Sequence, residues 1–135
     1  MLTLRTPLDV RALPDGKHWE LLKELVIDVG EIDGKDLIRI PKGFITDFGS
    51  IPPPFNLVVN PQGKAKPWFV LHDYLYQTQE RSQLVVDAML NEGMTSSEIN
   101  MFQRFCVYRG LRLGGFITWN KYKRGLKERE LKITP

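Results

Sequence analysis

In the first forty residues, apolar and polar side chains alternate in short runs that are separated by turn residues. Residues 2–5 alternate between apolar and polar side chains. Residues 19–29 fit a strand better than a helix, because a hairpin turn at 32–35 follows them and leads into the apolar run 37–40. Another turn, at 13–17, has proline and glycine at positions that turns favour. The pattern predicts β-hairpins for this part of the chain.

Residues 43–63 lack any apolar period and are rich in glycine, proline and asparagine, including the run Ile51-Pro52-Pro53-Pro54. We expect a long ordered loop here. Loops of this length within a compact domain are often functional.

The second half of the chain has a helical period. In residues 65–79, large side chains recur at steps of three and four, and Ser82 is a suitable N-cap for a second helix. Residues 95–98 have the form of a capping box, which predicts a third helix ending at Gly114-Gly115. Residues 116–119 would then be a connector, and residues 121–132 a weak basic helix or a tail. Phe102 and Phe105 are expected in the core.

These elements predict an α+β fold with an N-terminal β-hairpin region packed on about three C-terminal α-helices and a long Pro/Gly loop between them. We expect a single domain over 1–135. Its parts would be a mainly β segment at 1–42, the loop at 43–63, a helical segment at 64–115 and a basic C-terminal tail at 116–135.

Composition narrows the class of protein. Cys106 is the only cysteine, which excludes an internal disulfide and a zinc site built on several thiolates. No signal peptide or membrane span is predicted, and the lack of any disulfide favours a reducing compartment such as a cytoplasm, or a virion. The last 32 residues carry nine Lys/Arg against two Asp/Glu. Such a basic segment is typical of a solvated helix, although residues 104–132 could also bind nucleic acid or an anionic membrane surface.

His72 and Asp73 stand side by side in an otherwise apolar helix, where an unpartnered charge would be costly. Asp87 lies among apolar residues of the second helix and can face His72 if the two helices are antiparallel. A carboxylate on one imidazole nitrogen leaves the other free to deprotonate water. The candidate catalytic residues are therefore His72, Asp87 and Tyr76. Asp47 and Asp73 are candidate ligands for Ca²⁺ or Mg²⁺.

Other interpretations stay open at this stage. The same polar residues could simply tie the two helices to the loop, and Asp47 could cap a turn. Ser50 could be a nucleophile activated by His72 and Asp87, although the strand-turn-helix elbow of common hydrolases is missing. Three arginines of the third helix are expected on a solvated edge, namely Arg104, Arg109 and Arg112.

Three sequence blocks resemble a known family. They are the loop 40–52 (IPKGFITDFGSIP), the helix segment 72–76 (HDYLY) and the segment 87–90 (DAML). The resemblance is to small phage and prophage proteins catalogued as a domain of unknown function (domain of unknown function 1353), and it covers roughly residues 38–115. It implies a bacteriophage or prophage origin and brings no assigned activity.

A fainter resemblance is to the phospholipase A2 superfamily, whose HDxxY helix is similar to His72, Asp73 and Tyr76, with Asp87 in the place of the aspartate that orients the histidine. It implies a catalytic histidine at 72 and a calcium ligand at 73. The chain departs from that pattern because it lacks the framing cysteines and its loop is proline-rich.

We therefore expect a small phage-encoded protein that is associated with the virion or tail and whose His/Asp pocket hydrolyses an ester or amide bond. The alternative is a non-catalytic structural or adaptor component of the particle. In both cases the expected partners are other phage structural proteins.

Overall fold

The computed structural model describes residues 2–30, 36–47 and 65–133, and of residues 130–133 it describes the backbone alone. The chain has the α+β architecture that the hydrophobic pattern predicts. Six short strands precede three helices, in this order: β1 Thr3–Leu4, β2 Val10–Ala12, β3 Trp19–Leu21, β4 Leu25–Asp28, β5 Leu37–Ile40, β6 Ile45–Thr46, α1 Lys66–Thr78, α2 Gln83–Ser96 and α3 Met101–Ile133.

The strands form two antiparallel three-stranded sheets, with the orders β1-β4-β5 and β2-β3-β6. The turn that joins β2 to β3 contains Gly16 at a φ of 72°, a left-handed conformation that glycine adopts at little cost. β4 pairs with β5 so that Asp28 lies opposite Leu37, as a hairpin requires. The predicted turn at 32–35 lies outside the described residues, as do Ser50 and the rest of the predicted loop from residue 48 to residue 63.

Both sheets contribute to one core with the helices. The strands supply Leu21, Leu25, Ile27 and Ile40, which are almost fully buried, and the helices close the core from the other side with Phe69, Leu71, Leu75, Val86, Leu90, Met94 and Val107. The second sheet is also tied to α1 by aromatic packing. Lys66 lies over the Trp19 ring at 4.6 Å, and Phe44 meets Tyr74 edge-on at 5.3 Å.

α1 and α2 form an antiparallel pair. The side chain of Trp68, near the start of α1, bonds Ser97 at the end of α2, whereas Tyr76, near the end of α1, contacts Gln83 at the start of α2. Ser82 caps α2 as predicted, because its Oγ accepts from the Val85 N–H at 3.3 Å.

The predicted bounds of the third helix are wrong at both ends. α2 continues through Ser96, so residues 95–98 do not start a helix. Instead, Asn100 begins α3 by accepting a hydrogen bond from the Gln103 N–H at 2.8 Å. α3 then continues through Gly114-Gly115 to Ile133, so residues 116–119 are not a connector. Gly115 lies against Tyr76, where a Cβ atom would come within 2.8 Å of the phenol oxygen, and this close approach accounts for a glycine inside the helix.

Two burial predictions for α3 are also wrong. Phe102 and Phe105 are 67% and 57% exposed rather than part of the core. Cys106, in contrast, is buried. Among the residues that the structure describes, no helix is long and apolar enough to cross a bilayer.

Candidate functional site

Three helices meet at the carboxylate of Asp87, which is fully buried on α2. On one side, His72 Nε2–H and the Tyr76 hydroxyl, both from α1, donate to Asp87 Oδ1 at 2.9 and 2.8 Å. On the other side, Arg112 of α3 donates to Oδ2 at 2.8 Å. We call these four residues the Asp87 junction.

The junction determines which nitrogen of His72 carries a proton. The ring is 5% exposed, and its Nε2 points at a carboxylate that can only accept a hydrogen bond. Nε2 is therefore protonated, and Nδ1 is left with the lone pair of the neutral imidazole. This is the arrangement in which a carboxylate orients a histidine ring and fixes its tautomer.

Tyr76 is held in the junction by two hydrogen bonds of its hydroxyl. Burial, followed by the charge of Asp87 and its hydrogen bond, raises the pKa of the Tyr76 phenol well above its usual value of 10.0. The phenol also accepts from Gln83 Nε2 at 3.3 Å, and its ring lies 4.2 Å from that of His72 between centroids. The hydroxyl therefore stays protonated and holds the carboxylate in place.

Arg112 is the member of the junction that the sequence interpretation missed, because a solvated helix edge was predicted for it. In its ion pair with Asp87, the arginine side chain is 35% exposed, whereas the carboxylate is fully buried. The helical period of α3 gave no signal for this contact, because Arg112 lies about 140° around the axis from the buried Val107 and about 100° from the buried Leu111. Arg109 lies over Phe105 at 5.4 Å instead.

Asp73 lies one residue from His72 but points into a different cluster. Its Oδ2 accepts from the Thr46 hydroxyl at 2.7 Å and from the Asp47 N–H at 3.3 Å, and its Oδ1 accepts from Gln77 Nε2 at 3.2 Å. We call Thr46, Asp47, Asp73 and Gln77 the Asp73 cluster. It brings together the two aspartates that the sequence nominated as metal ligands, on the strand side of α1 and apart from the hydrogen bonds of the Asp87 junction.

The electrostatics of the Asp73 cluster favour the protonated form of the Asp73 carboxyl. Burial, and then the nearby charge of Asp47, raise the pKa of the Asp73 carboxyl above 3.8. Burial, and then the charges of Asp73 and Asp47, raise the pKa of Tyr122 of α3 to about 12. No group of three or more His, Cys, Asp or Glu side chains suited to a metal ion occurs within residues 2–30, 36–47 and 65–129.

The raised pKa of Asp73 predicts a pH dependence of stability. The native state holds this proton more tightly than the unfolded chain, so its stabilising contribution is complete below pH 3.8 and is lost as the pH rises through the raised pKa. Asp73→Asn is always neutral and should lack this loss. Relative to the wild type, its free energy of unfolding should therefore increase across that window, as measured by urea denaturation at several pH values. Asp36→Asn, at a partly exposed ion pair with Arg81, is the control. A difference between Asp73→Asn and wild type that stays constant with pH would show that the Asp73 carboxyl is not the group that titrates.

A family model described as "Protein of unknown function (DUF1353)" matches residues 19–111, more than half of the chain. The match spans both clusters except for Arg112, which follows it directly. Neither the curated proteins nor the solved structures include a match to this chain.

Proposed function

The chain belongs to the family described as Protein of unknown function (DUF1353), and because that description carries no activity, we propose a function from the site itself: hydrolysis of an ester or amide bond with His72 as general base. The observation that carries the proposal is the 2.9 Å hydrogen bond from His72 Nε2–H to the buried Asp87 carboxylate. It leaves Nδ1 as the nitrogen able to accept a proton from water while that water attacks a carbonyl carbon.

Each residue of the junction has a role in this proposal. His72 takes the proton, and Asp87 holds the ring and stabilises the imidazolium that forms. Tyr76 positions the Asp87 carboxylate through the hydroxyl hydrogen bond of 2.8 Å. Ca²⁺ or Mg²⁺ held by Asp47 and Asp73 is the proposed cofactor, supported by the raised pKa of Asp73, because a bound cation would relieve the repulsion between two neighbouring carboxylates.

The direct test replaces His72 by glutamine, whose amide N–H can still donate to Asp87. We expect His72→Gln to reduce hydrolysis of p-nitrophenyl esters and of a fluorogenic amide panel by about 100-fold or more, because the general base is lost, while the melting temperature changes little. His18→Gln is the matched control: His18 is the other histidine of the chain and pairs with Asp15 on the surface. Wild-type protein that turns over no substrate of the panel, together with a large fall in the melting temperature of His72→Gln, would contradict the proposal.

The tautomer of His72 can be read without any substrate. Because the chain has two histidines, their imidazole nitrogens are easily separated in a ¹⁵N NMR spectrum. We expect the proton of the neutral His72 imidazole on Nε2, with the lone pair on Nδ1. A proton found on Nδ1 would remove the general base.

Metal binding is measured separately, by the shift in melting temperature on addition of calcium or magnesium. A ligand that binds only the native state raises its stability, and Asp73→Asn is the control. No shift at millimolar metal would exclude the cofactor.

A second candidate is a non-catalytic structural component, and one observation favours it. Arg112 neutralises Asp87 and connects a third helix to the pair, as a purely structural crosslink would.

For either function we propose a phage or prophage origin and a place in the virion or tail among other phage structural proteins, supported by the resemblance of the three sequence blocks. Detection of the protein in purified particles tests this; its confinement to the soluble host fraction would contradict it.

A further inference from the structure

One side of α3 presents large apolar side chains to solvent. Five of them, each more than half exposed, are Phe102, Phe105, Leu113, Phe116 and Ile117. At about 100° per residue they fall within a sector of about 120° around the helix axis. The opposite side of α3 packs into the core through Val107 and Leu111. We call the exposed set the α3 stripe.

Cationic side chains occupy the same sector of the helix. Arg109 interrupts the stripe with its guanidinium 5.4 Å from the Phe105 ring centroid. Lys123, Arg124 and Lys127 continue the stripe toward the C-terminus and are exposed. From Phe102 to Lys127 the surface extends for about 38 Å along the axis. The two acidic positions of α3, Glu128 and Glu130, fall outside the sector.

We propose that the α3 stripe docks the protein on an anionic lipid bilayer, with α3 lying in the plane of the interface. The phenylalanines would enter the boundary between headgroups and acyl chains, and the four cations would meet the lipid phosphates. Aromatic and aliphatic side chains accompanied by Lys and Arg are the composition of helices that lie on membranes. This proposal goes beyond the hydrolase proposal and does not depend on it.

The charge pattern argues against the other occupants. A second copy packed antiparallel through the stripe would bring Arg109 close to Arg109 of its partner near the symmetry axis, a repulsive arrangement. Nucleic acid would satisfy the cations but leave Leu113 and Ile117, which have no aromatic ring for stacking, without a favourable environment. An anionic bilayer satisfies both the apolar and the cationic part of the surface.

The test is sedimentation of the full-length protein with vesicles of phosphatidylglycerol and phosphatidylcholine, compared with vesicles of phosphatidylcholine alone. We expect binding to the anionic vesicles that weakens as salt is raised. Phe102→Ser/Phe116→Ser should weaken the binding at least about tenfold because apolar area is no longer buried. Lys123→Gln/Arg124→Gln/Lys127→Gln should weaken it about 100-fold because three cations near the surface are lost.

Matched controls lie elsewhere on the protein. Leu84→Ser/Val85→Ser removes exposed apolar side chains from α2, and Lys17→Gln/Lys23→Gln/Lys42→Gln removes the same number of exposed charges from the β region. Leu84→Ser/Val85→Ser should bind anionic vesicles as tightly as the wild type. Lys17→Gln/Lys23→Gln/Lys42→Gln should lose less vesicle affinity than the α3 triple variant. The proposal would be overturned if the α3 variants and their controls lost the same vesicle affinity, or if the wild-type protein did not bind anionic vesicles. So would a dimer in light scattering that Phe102→Ser/Phe116→Ser dissociates, or tight duplex DNA binding that the serine pair leaves unchanged.

Discussion

Asp87→Ala is expected to lower the free energy of unfolding by about 3–5 kcal/mol, the usual cost of breaking a buried ion pair by removing one partner. The variant would leave His72 Nε2–H, the Tyr76 hydroxyl and the Arg112 guanidinium without their shared acceptor. Arg112 can recover some hydration because its side chain is 35% exposed, but the two α1 groups are buried. Urea denaturation followed by circular dichroism measures the loss.

The control for Asp87→Ala is Asp36→Ala. Asp36 also pairs with an arginine, Arg81, at 3.0 Å, but about a third of each side chain is exposed, so the cost should be about 1 kcal/mol or less. If the two variants lose the same stability, the Asp87 junction does not hold the three helices together. The proposed hydrolase is not affected by this result, because it is judged by His72→Gln and by the tautomer of His72.

Gly93→Ala should destabilise the protein by about 3 kcal/mol, although alanine is the better helix former. A Cβ atom at position 93 would come within 2.6 Å of Cδ2 and 2.8 Å of Cβ of Trp68. The indole cannot move aside easily, because it is 6% exposed and its Nε1–H donates to Ser97 Oγ at 2.9 Å. The α1–α2 contact must therefore open to admit one methyl group.

Gly125→Ala is the matched substitution for Gly93→Ala. Gly125 is also inside a helix, α3, but a Cβ there would meet nothing within 4 Å. We expect this variant to leave the free energy of unfolding unchanged or to raise it by less than about 1 kcal/mol, because the gain in helix propensity falls in the end of α3 that frays before the domain unfolds. Thermal unfolding of both variants gives the comparison, and a shift of the same sign in the two would contradict the role of Trp68 packing.

Local chemistry allowed much of the fold to be predicted. The Pro14-Asp15-Gly16 turn, the Ser82 cap and the period of α1 depend on neighbouring residues, and each occurs where the sequence placed it. The proximity of His72 and Asp87 followed in the same way, because a short connection favours an antiparallel helix pair. The predicted contact between His72 and Asp87 therefore occurs, whereas Asp73 lies in a separate cluster with Thr46 and Asp47.

The errors concern contacts between distant parts of the chain. Gly114-Gly115 has the composition of a helix end. The glycine at 115 is instead explained by Tyr76, which occupies the space that a side chain there would need. The pairing of Arg112 with Asp87 depends on which side of α3 turns toward α2, and the helical period alone does not determine this. Phe102 and Phe105 have the composition of core residues, but the opposite side of the helix fills the core.

The single carboxylate of Asp87 also has a consequence for how the protein opens. Because it accepts hydrogen bonds from α1 and α3 while belonging to α2, no one of these helices can detach near the junction without leaving a buried polar group unpaired. We expect backbone amides around positions 72, 87 and 112 to exchange with deuterium through one shared opening. Among the described residues, Trp119 and Tyr122 are the last of α3 that pack on the core, so amides beyond 123 should exchange much earlier. α3, continuous in shape, would then behave in hydrogen exchange as two segments, one opening with the whole domain and one fraying by itself.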